Sequence, residues 1–163
     1  MFSKTLALTA VVASLCGVAS ASGALNLKDQ PGNIYCIDVQ NNNQADGTPV
    51  QVYQSNSSPA QQWQVPGENT QGFVRLAGTG FCLDAGENPG NNSKVMVHTC
   101  QNTVLPQQWW TYDPNMQRLK LANSDLCVDV QDGNFGDGSQ LQVYQCQGGS
   151  WENQQVIYNN DSA

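Results

Sequence analysis

The sequence predicts an all-β fold built from three similar units packed about one axis. Three observations carry this expectation. Only 12% of the 163 residues are charged, against about 25% in an average globular domain. Gln, Asn, Gly, Ser and Thr take their place, whereas long amphipathic helices need Lys and Glu on their wet face. Short stretches alternate with period two, as in Val50-Gln51-Val52-Tyr53 and Leu141-Gln142-Val143-Tyr144, which sends successive side chains to opposite faces of a strand. Finally, one pattern recurs three times along the chain, the signature of a fold assembled from copies.

The elements follow in chain order. Lys4, the apolar run from Leu6 to Val18 and the small residues Ala19-Ser20-Ala21 read as a secretory signal peptide over residues 1–21. That leaves residues 22–163 as the expected extracellular domain, in an oxidising compartment where cysteines pair. The first unit (about 30–74) carries Cys36-Ile37-Asp38, then Gly47-Thr48-Pro49-Val50-Gln51-Val52-Tyr53, then Gln61-Gln62-Trp63. The second (about 75–120) carries Cys82-Leu83-Asp84, then Lys94-Val95-Met96-Val97-His98, then Gln107-Gln108-Trp109. The third (about 121–160) carries Cys127-Val128-Asp129, then Gly138-Ser139-Gln140-Leu141-Gln142-Val143-Tyr144, then Asn153-Gln154-Gln155-Val156. The C-x-D elements begin at 36, 82 and 127, spacings of 46 and 45. A unit this small cannot bury its own apolar face, so three must share a core.

C-x-D, G-[TS]-x-[VL]-Q-V-Y and Q-x-W in threefold register resemble the ricin B-chain type lectin family. The resemblance covers residues of about 30 to 160. It implies a β-trefoil of twelve strands and a sugar site made by the Asp of C-x-D, a Gln and an aromatic on the next strand, and an Asn-Gln pair before the Trp position. The third unit holds every part: Asp129, Gln142, Tyr144, Asn153 and Gln154. The first holds Asp38, Gln51, Tyr53 and Gln61, with Ala60 at the Asn position, and is expected to bind more weakly. The second keeps Asp84 and Gln107 but has Met96, His98 and Pro106 at the other positions; it is expected to be silent or altered. Trp63 and Trp109 are expected in the core, with Val156 in that place in the third unit, and Trp110 and Trp151 fall outside the pattern. Trp151, beside Gly148-Gly149, is either a loop anchor or an extension of the third site.

The second and third units each carry another cysteine, 18 and 19 residues after the first, so Cys82–Cys100 and Cys127–Cys146 are the expected disulfides. Ser55 stands at the partner position in the first unit. Cys36 is then either a buried thiol or the source of an intermolecular bridge. If the bridged cysteines sit opposite each other on antiparallel strands, Asp129 faces Tyr144, Asp84 faces His98 and Asp38 faces Tyr53, on the ribbon face away from Val128, Val130 and Val143.

An ionised carboxylate accepts hydrogen bonds from adjacent hydroxyls, and these charge-assisted bonds are the strong kind. An aromatic ring offers a flat apolar face to sugar C–H groups. This set suits a shallow polyol site and calls for neither metal nor cofactor. The expected partners are glycans or glycoproteins. The rival reading is a secreted trefoil whose loops bind a protein, as a protease inhibitor or an effector. A net charge of −7 argues against nucleic acid, whose affinity rests on Lys and Arg at phosphates. No stretch after residue 21 approaches the roughly 20 apolar residues of a membrane span. The single histidine, His98, has no partner in a nucleophile motif. The acidic loop Asp129, Asp132, Asn134, Asp137 lacks the spacing and final Glu of a calcium loop. Asn56, Asn91 and Asn160 begin N-glycosylation sequons.

Overall fold

Strands in this chain are short because turn residues interrupt it every few positions. The computed structural model describes residues 21–27 and 34–159; the expected signal peptide, apart from Ala21, and the Asn160 sequon lie outside them. In order, the strands are β1 (Gly23–Leu27), β2 (Tyr35–Val39), β3 (Thr48–Gln54), β4 (Gln62–Gln64), β5 (Gln71–Gly72), β6 (Arg75–Leu76), β7 (Phe81–Asp84), β8 (Ser93–Lys94), β9 (Met96–Thr99), β10 (Trp110–Asp113), β11 (Arg118–Leu121), β12 (Leu126–Val130), β13 (Leu141–Gln145) and β14 (Val156–Asn159). Helical residues among those described form only five single 3-10 turns. Fourteen strands replace the expected twelve because two are interrupted, the strand leading into the second hairpin (β5/β6) at Phe73-Val74 and the outgoing strand of that hairpin (β8/β9) at Val95. The architecture is a β-trefoil.

Each unit centres on an antiparallel hairpin, β2–β3, β7–β9 and β12–β13. Three equivalent backbone bonds link the units in a ring. Gly47 N–H donates to Val97 O at 2.9 Å, Asn92 N–H to Val143 O at 3.0 Å, and Gly138 N–H to Val52 O at 2.9 Å. The residue before each of these donors adds a side-chain link of the same cyclic order. Asp46 Oδ1 accepts from Thr99 N–H, Asn91 Oδ1 from Gln145 N–H and Asp137 Oδ1 from Gln54 N–H, at 2.6–2.7 Å. Ile37, Val39, Val50, Val52, Leu83, Val95, Val97, Val128, Val130, Leu141 and Val143 fill the shared interior. These are the inward positions of the period-two pattern.

Trp63 is fully buried, and its Nε1 donates to Ile37 O at 2.9 Å. The matching residue in the second unit is Trp110, also fully buried, with Nε1 donating to Leu83 O at 2.9 Å. This corrects the sequence register there by one residue: the motif is Gln108-Trp109-Trp110, and Trp109 is only half-buried, meeting the Phe73 ring edge-on. Two adjacent tryptophans made the register ambiguous, and only the strand's pleat picks which one faces in. In the third unit Val156 takes the place of the tryptophan in the core.

Both expected disulfides form, with Cα–Cα distances of 5.0 Å for Cys82–Cys100 and 5.1 Å for Cys127–Cys146. They do not join facing residues. Cys127 faces Tyr144 and Asp129 faces Gln142; likewise Cys82 faces His98 and Asp84 faces Met96; and Asp38 faces Gln51. The expected register was therefore two residues off. Cys100 and Cys146 lie just past their strands, where Cys100 N–H bonds Gly80 O and Cys146 N–H bonds Asp125 O, both beyond the partner cysteine. The bridge thus runs diagonally, at a spacing neighbouring strands allow. A shift of two preserves the pleat, so the assignment of faces stands. Cys36 is free and buried, and its Sγ donates to Asn26 Oδ1 at 3.2 Å. Burial pushes its thiol pKa up, and no sulfur surface is left for an intermolecular bridge.

Candidate functional site

The outer face of each hairpin presents one aspartate near its end. Asp38, Asp84 and Asp129 are each only 4% exposed, and a buried carboxylate must be hydrogen-bonded. In every unit one oxygen is held by a buried glutamine: Gln61 Nε2 donates to Asp38 at 3.1 Å, Gln108 Nε2 to Asp84 at 2.9 Å and Gln154 Nε2 to Asp129 at 3.0 Å. The same Nε2 reaches a strand-end carbonyl, Gln54 O, Thr99 O or Gln145 O. The amide oxygen accepts a backbone N–H, from Asn56, Gln101 or Gln147. Gln61 and Gln154 were grouped with the sugar-contacting residues from sequence. They are 1% and 0% exposed, so they hold the carboxylate from behind. In the second unit Gln108 performs this task, and Gln107 lines the cleft instead.

The second oxygen separates the units. Gln51 Nε2 donates to Asp38 Oδ1 and Gln142 Nε2 to Asp129 Oδ1, both at 2.9 Å. In the second unit Met96 replaces that glutamine, and the backbone N–H of Gly86 binds Asp84 Oδ1 at 2.6 Å. Burial raises the pKa values of Asp38 and Asp129 above the ordinary aspartate value. The two glutamine amides offset part of that rise in each. A further negative charge, Asp137 for the first and Asp132 for the third, pushes the same way as burial.

Above each carboxylate lies an open cleft. In the third unit Asp129, Gln142, Tyr144 and Asn153 line one cleft of about 280 Å³. Asp132, Gln147 and Trp151 share its wall, and Asn92 reaches it from the second unit. Trp151 lines the cleft and is 49% exposed, so its ring is not packed into the core as a loop anchor would be. Asp132 and Gly133 both take positive φ, 56° and 66°, and turn the loop tightly under Asn153. A Cβ on Gly133 would stand 3.1 Å from Asn153 Oδ1, so a larger residue here would press the Asn153 amide out of its place by a few tenths of an ångström. In the first unit Asp38, Gln51 and Tyr53 line a cleft of about 220 Å³ with Asn41, Asn42 and Asn56. The second unit's cleft, about 460 Å³, joins Asp84, Met96, His98 and Gln107 with Glu87 and Leu105. His98 Nδ1 lies 3.7 Å from Asp46 Oδ1.

Sequence reasoning left out Asn92, Asp132 and Gln147. Asp132 and Gln147 have threefold counterparts at Asn41 and Asn56, a signal an internal alignment of the units could have yielded. Asn92 enters from another unit and has no such signal. Among the described residues no group of three or more His, Cys, Asp or Glu converges as a metal site would, and no helix is long and apolar enough to cross a membrane.

The sequence matches the family model for the ricin-type beta-trefoil lectin domain over residues 24–162. No curated protein matches it. Among solved structures it is similar to a designed threefold-symmetric protein, ThreeFoil, at 23% identity and TM-score 0.70, covering 84% of this chain and 96% of that one. It is similar to the C-half of an earthworm R-type lectin in complex with GalNAc, at 16% identity and TM-score 0.64, covering 85% and 99%. It also resembles a non-toxic homologue of type II RIPs from bitter gourd (Momordica charantia) in complex with α-methyl-D-galactoside, at 18% identity and TM-score 0.68, covering 86% of this chain and 48% of that one.

Proposed function

The chain belongs to the ricin-type β-trefoil lectin domain family, a family of carbohydrate-binding domains, and from that premise we propose that it is a secreted, non-catalytic lectin for galactose- or N-acetylgalactosamine-type or cell-wall glycans. Residues 1–21 act as its signal peptide. The third unit is the principal site, the first a weaker one, and the second is silent or altered. The observation that carries this reading is the carboxylate gripped by two amides beneath an open cleft with a ring on its wall. An ionised carboxylate has about four acceptor positions. The amides of Gln142 and Gln154 take two, and the rest remain for vicinal sugar hydroxyls. Asn153 supplies a donor and an acceptor, and Tyr144 and Trp151 offer faces for the C–H side of a pyranose.

A shallow, wet monosaccharide site reaches about millimolar affinity, near −4 kcal/mol. Two such sites on one rigid trefoil gain by avidity on a multivalent glycan. A glycan array probed with residues 22–163 tests the proposal: retention on terminal galactose or N-acetylgalactosamine is expected. Binding to no glycan on the array overturns it.

A further inference from the structure

Arg118 opens β11, the strand that leads into the third unit's hairpin, and is 4% exposed. The strand registers Asn26 with Cys36, Arg75 with Cys82 and Lys120 with Cys127 place Ala24 and Phe73 at its threefold-equivalent positions. The basic residue is thus peculiar to the third unit. Its Nη1 donates to Gln154 Oε1 at 2.9 Å and to Gln147 O, and its Nη2 donates to Gly149 O at 2.7 Å. Its Nε, also buried, has no hydrogen-bond partner among the described residues. The guanidinium therefore acts through its outer edge alone, on two carbonyls of one loop and on the amide that grips Asp129.

That loop joins β13 to the 3-10 turn Glu152–Gln154 and carries Gln147 and Trp151 into the cleft. It contains Gly148-Gly149, with Gly149 at φ 68°. A Gly-Gly segment loses much conformational freedom on ordering and would not by itself hold an exposed tryptophan still. The corresponding loop of the first unit is two residues shorter, since Gln54 to Gln61 spans seven positions and Gln145 to Gln154 nine. The second unit's loop is as long, with Thr99 to Gln108 also spanning nine. There the residue equivalent to Arg118, Phe73, meets the Trp109 ring edge-on instead.

We propose that Arg118 is the positioning residue of the third cleft: its planar fork pins the 147–149 backbone so that Gln147 and Trp151 meet the ligand already ordered. A guanidinium suits this role because its donors diverge in one rigid plane. Loop ordering completed before binding is a cost the ligand need not meet. This assignment rests on the lectin reading for its ligand but not for its loop.

The test has two readouts. In the full secreted chain, Arg118→Met should speed amide hydrogen exchange at 147–151 by at least about tenfold and leave amides 55–60 unchanged. Arg118→Lys, which keeps the charge but not the fork, should fall between. In an Asp38→Ala background, with N-acetylgalactosamine as the probe, Arg118→Met should weaken binding by about tenfold, with Arg118→Lys partly restoring it. Unchanged exchange at 147–151, or equal acceleration in both loops, overturns the proposal. So does full affinity in Arg118→Met. Should the unmodified protein bind no sugar, the lectin reading fails and the exchange data still decide the role of Arg118. If Arg118→Met does not fold, Arg118→Lys decides: it should accelerate exchange at 147–151 by about threefold or more and leave 55–60 unchanged, and no acceleration overturns the proposal.

Discussion

The second and third units place the same aspartate on the same strand, gripped from behind by the same buried glutamine, yet they build different clefts. In the third, a glutamine side chain holds the other carboxylate oxygen and an aromatic ring and an asparagine stand around it. In the second, a backbone N–H has taken over that oxygen, and Met96, His98 and Leu105 line a larger, less polar space. The shared part is what the fold needs: a carboxylate and an amide tying a strand end to a loop. The part that differs is what a ligand would touch. The C-x-D and Q-x-W elements are thus first a structural fastening, and the proposed sugar site requires the cleft residues in addition to it.

The strongest test of this contrast is the pair Asp129→Ala and Asp84→Ala. Losing hydrogen bonds to a charged group costs about 1.5–3 kcal/mol each, so Asp129→Ala should lower glycan affinity by roughly ten- to a hundredfold by calorimetry. Asp38→Ala should cost less and Asp84→Ala nothing. Because each removal also orphans buried amides, all three should lower thermal stability, and it is the binding data that separate them. Equal binding losses would break the contrast.

Acid should act next most strongly. The Asp129 carboxyl has a pKa above the ordinary value of 3.8, chiefly because of burial, and its ionised form is the acceptor. Glycan binding should be complete above that raised pKa and fade as pH falls through it, with a midpoint above 3.8. The sign for stability is opposite. The folded state holds this proton more tightly than the unfolded chain does, so protonation in that window favours the fold. Binding should therefore be lost before circular dichroism changes. Coincident loss of both would show that acid acts by unfolding.

A gain is expected from rebuilding the second cleft. Met96→Gln, His98→Tyr and Gln107→Asn together install the third unit's side chains over Asp84 and should raise the binding stoichiometry by one, with a weak site of about millimolar strength. Unchanged stoichiometry would locate the difference in the Gly86 turn instead. The smallest effect is Trp151→Ala. Stacking on an exposed ring is worth about 1 kcal/mol, so affinity at the third cleft should fall by a few fold, and ligand-induced fluorescence change should shrink.

Much of this was legible in the residue string, because three copies of a pattern check one another. The spacing of Cys36, Cys82 and Cys127 set the units, and alternation set which face each residue takes. The disulfides followed from which units carry a second cysteine. Errors arose where local pattern had no tertiary reference. At the tandem Trp109-Trp110 two registers fit the local pattern, and the expected one placed Trp109 in the core where the fold buries Trp110. The cysteines were assumed to face each other, although the second of each pair lies past its strand. The buried fate of Gln61 and Gln154 was hidden because a glutamine serves equally well as ligand or fastening.

By itself, then, the sequence determined the threefold all-β architecture, the two bridges and the aspartate of each unit, since periodicity and composition act locally and are repeated. Only the tertiary structure decided which glutamines are buried, that Asn92 enters the third cleft from the neighbouring unit, and that Arg118 reaches across to the loop bearing Trp151. Those are contacts between segments distant in the chain, and their geometry comes from how the units pack, which no local pattern encodes.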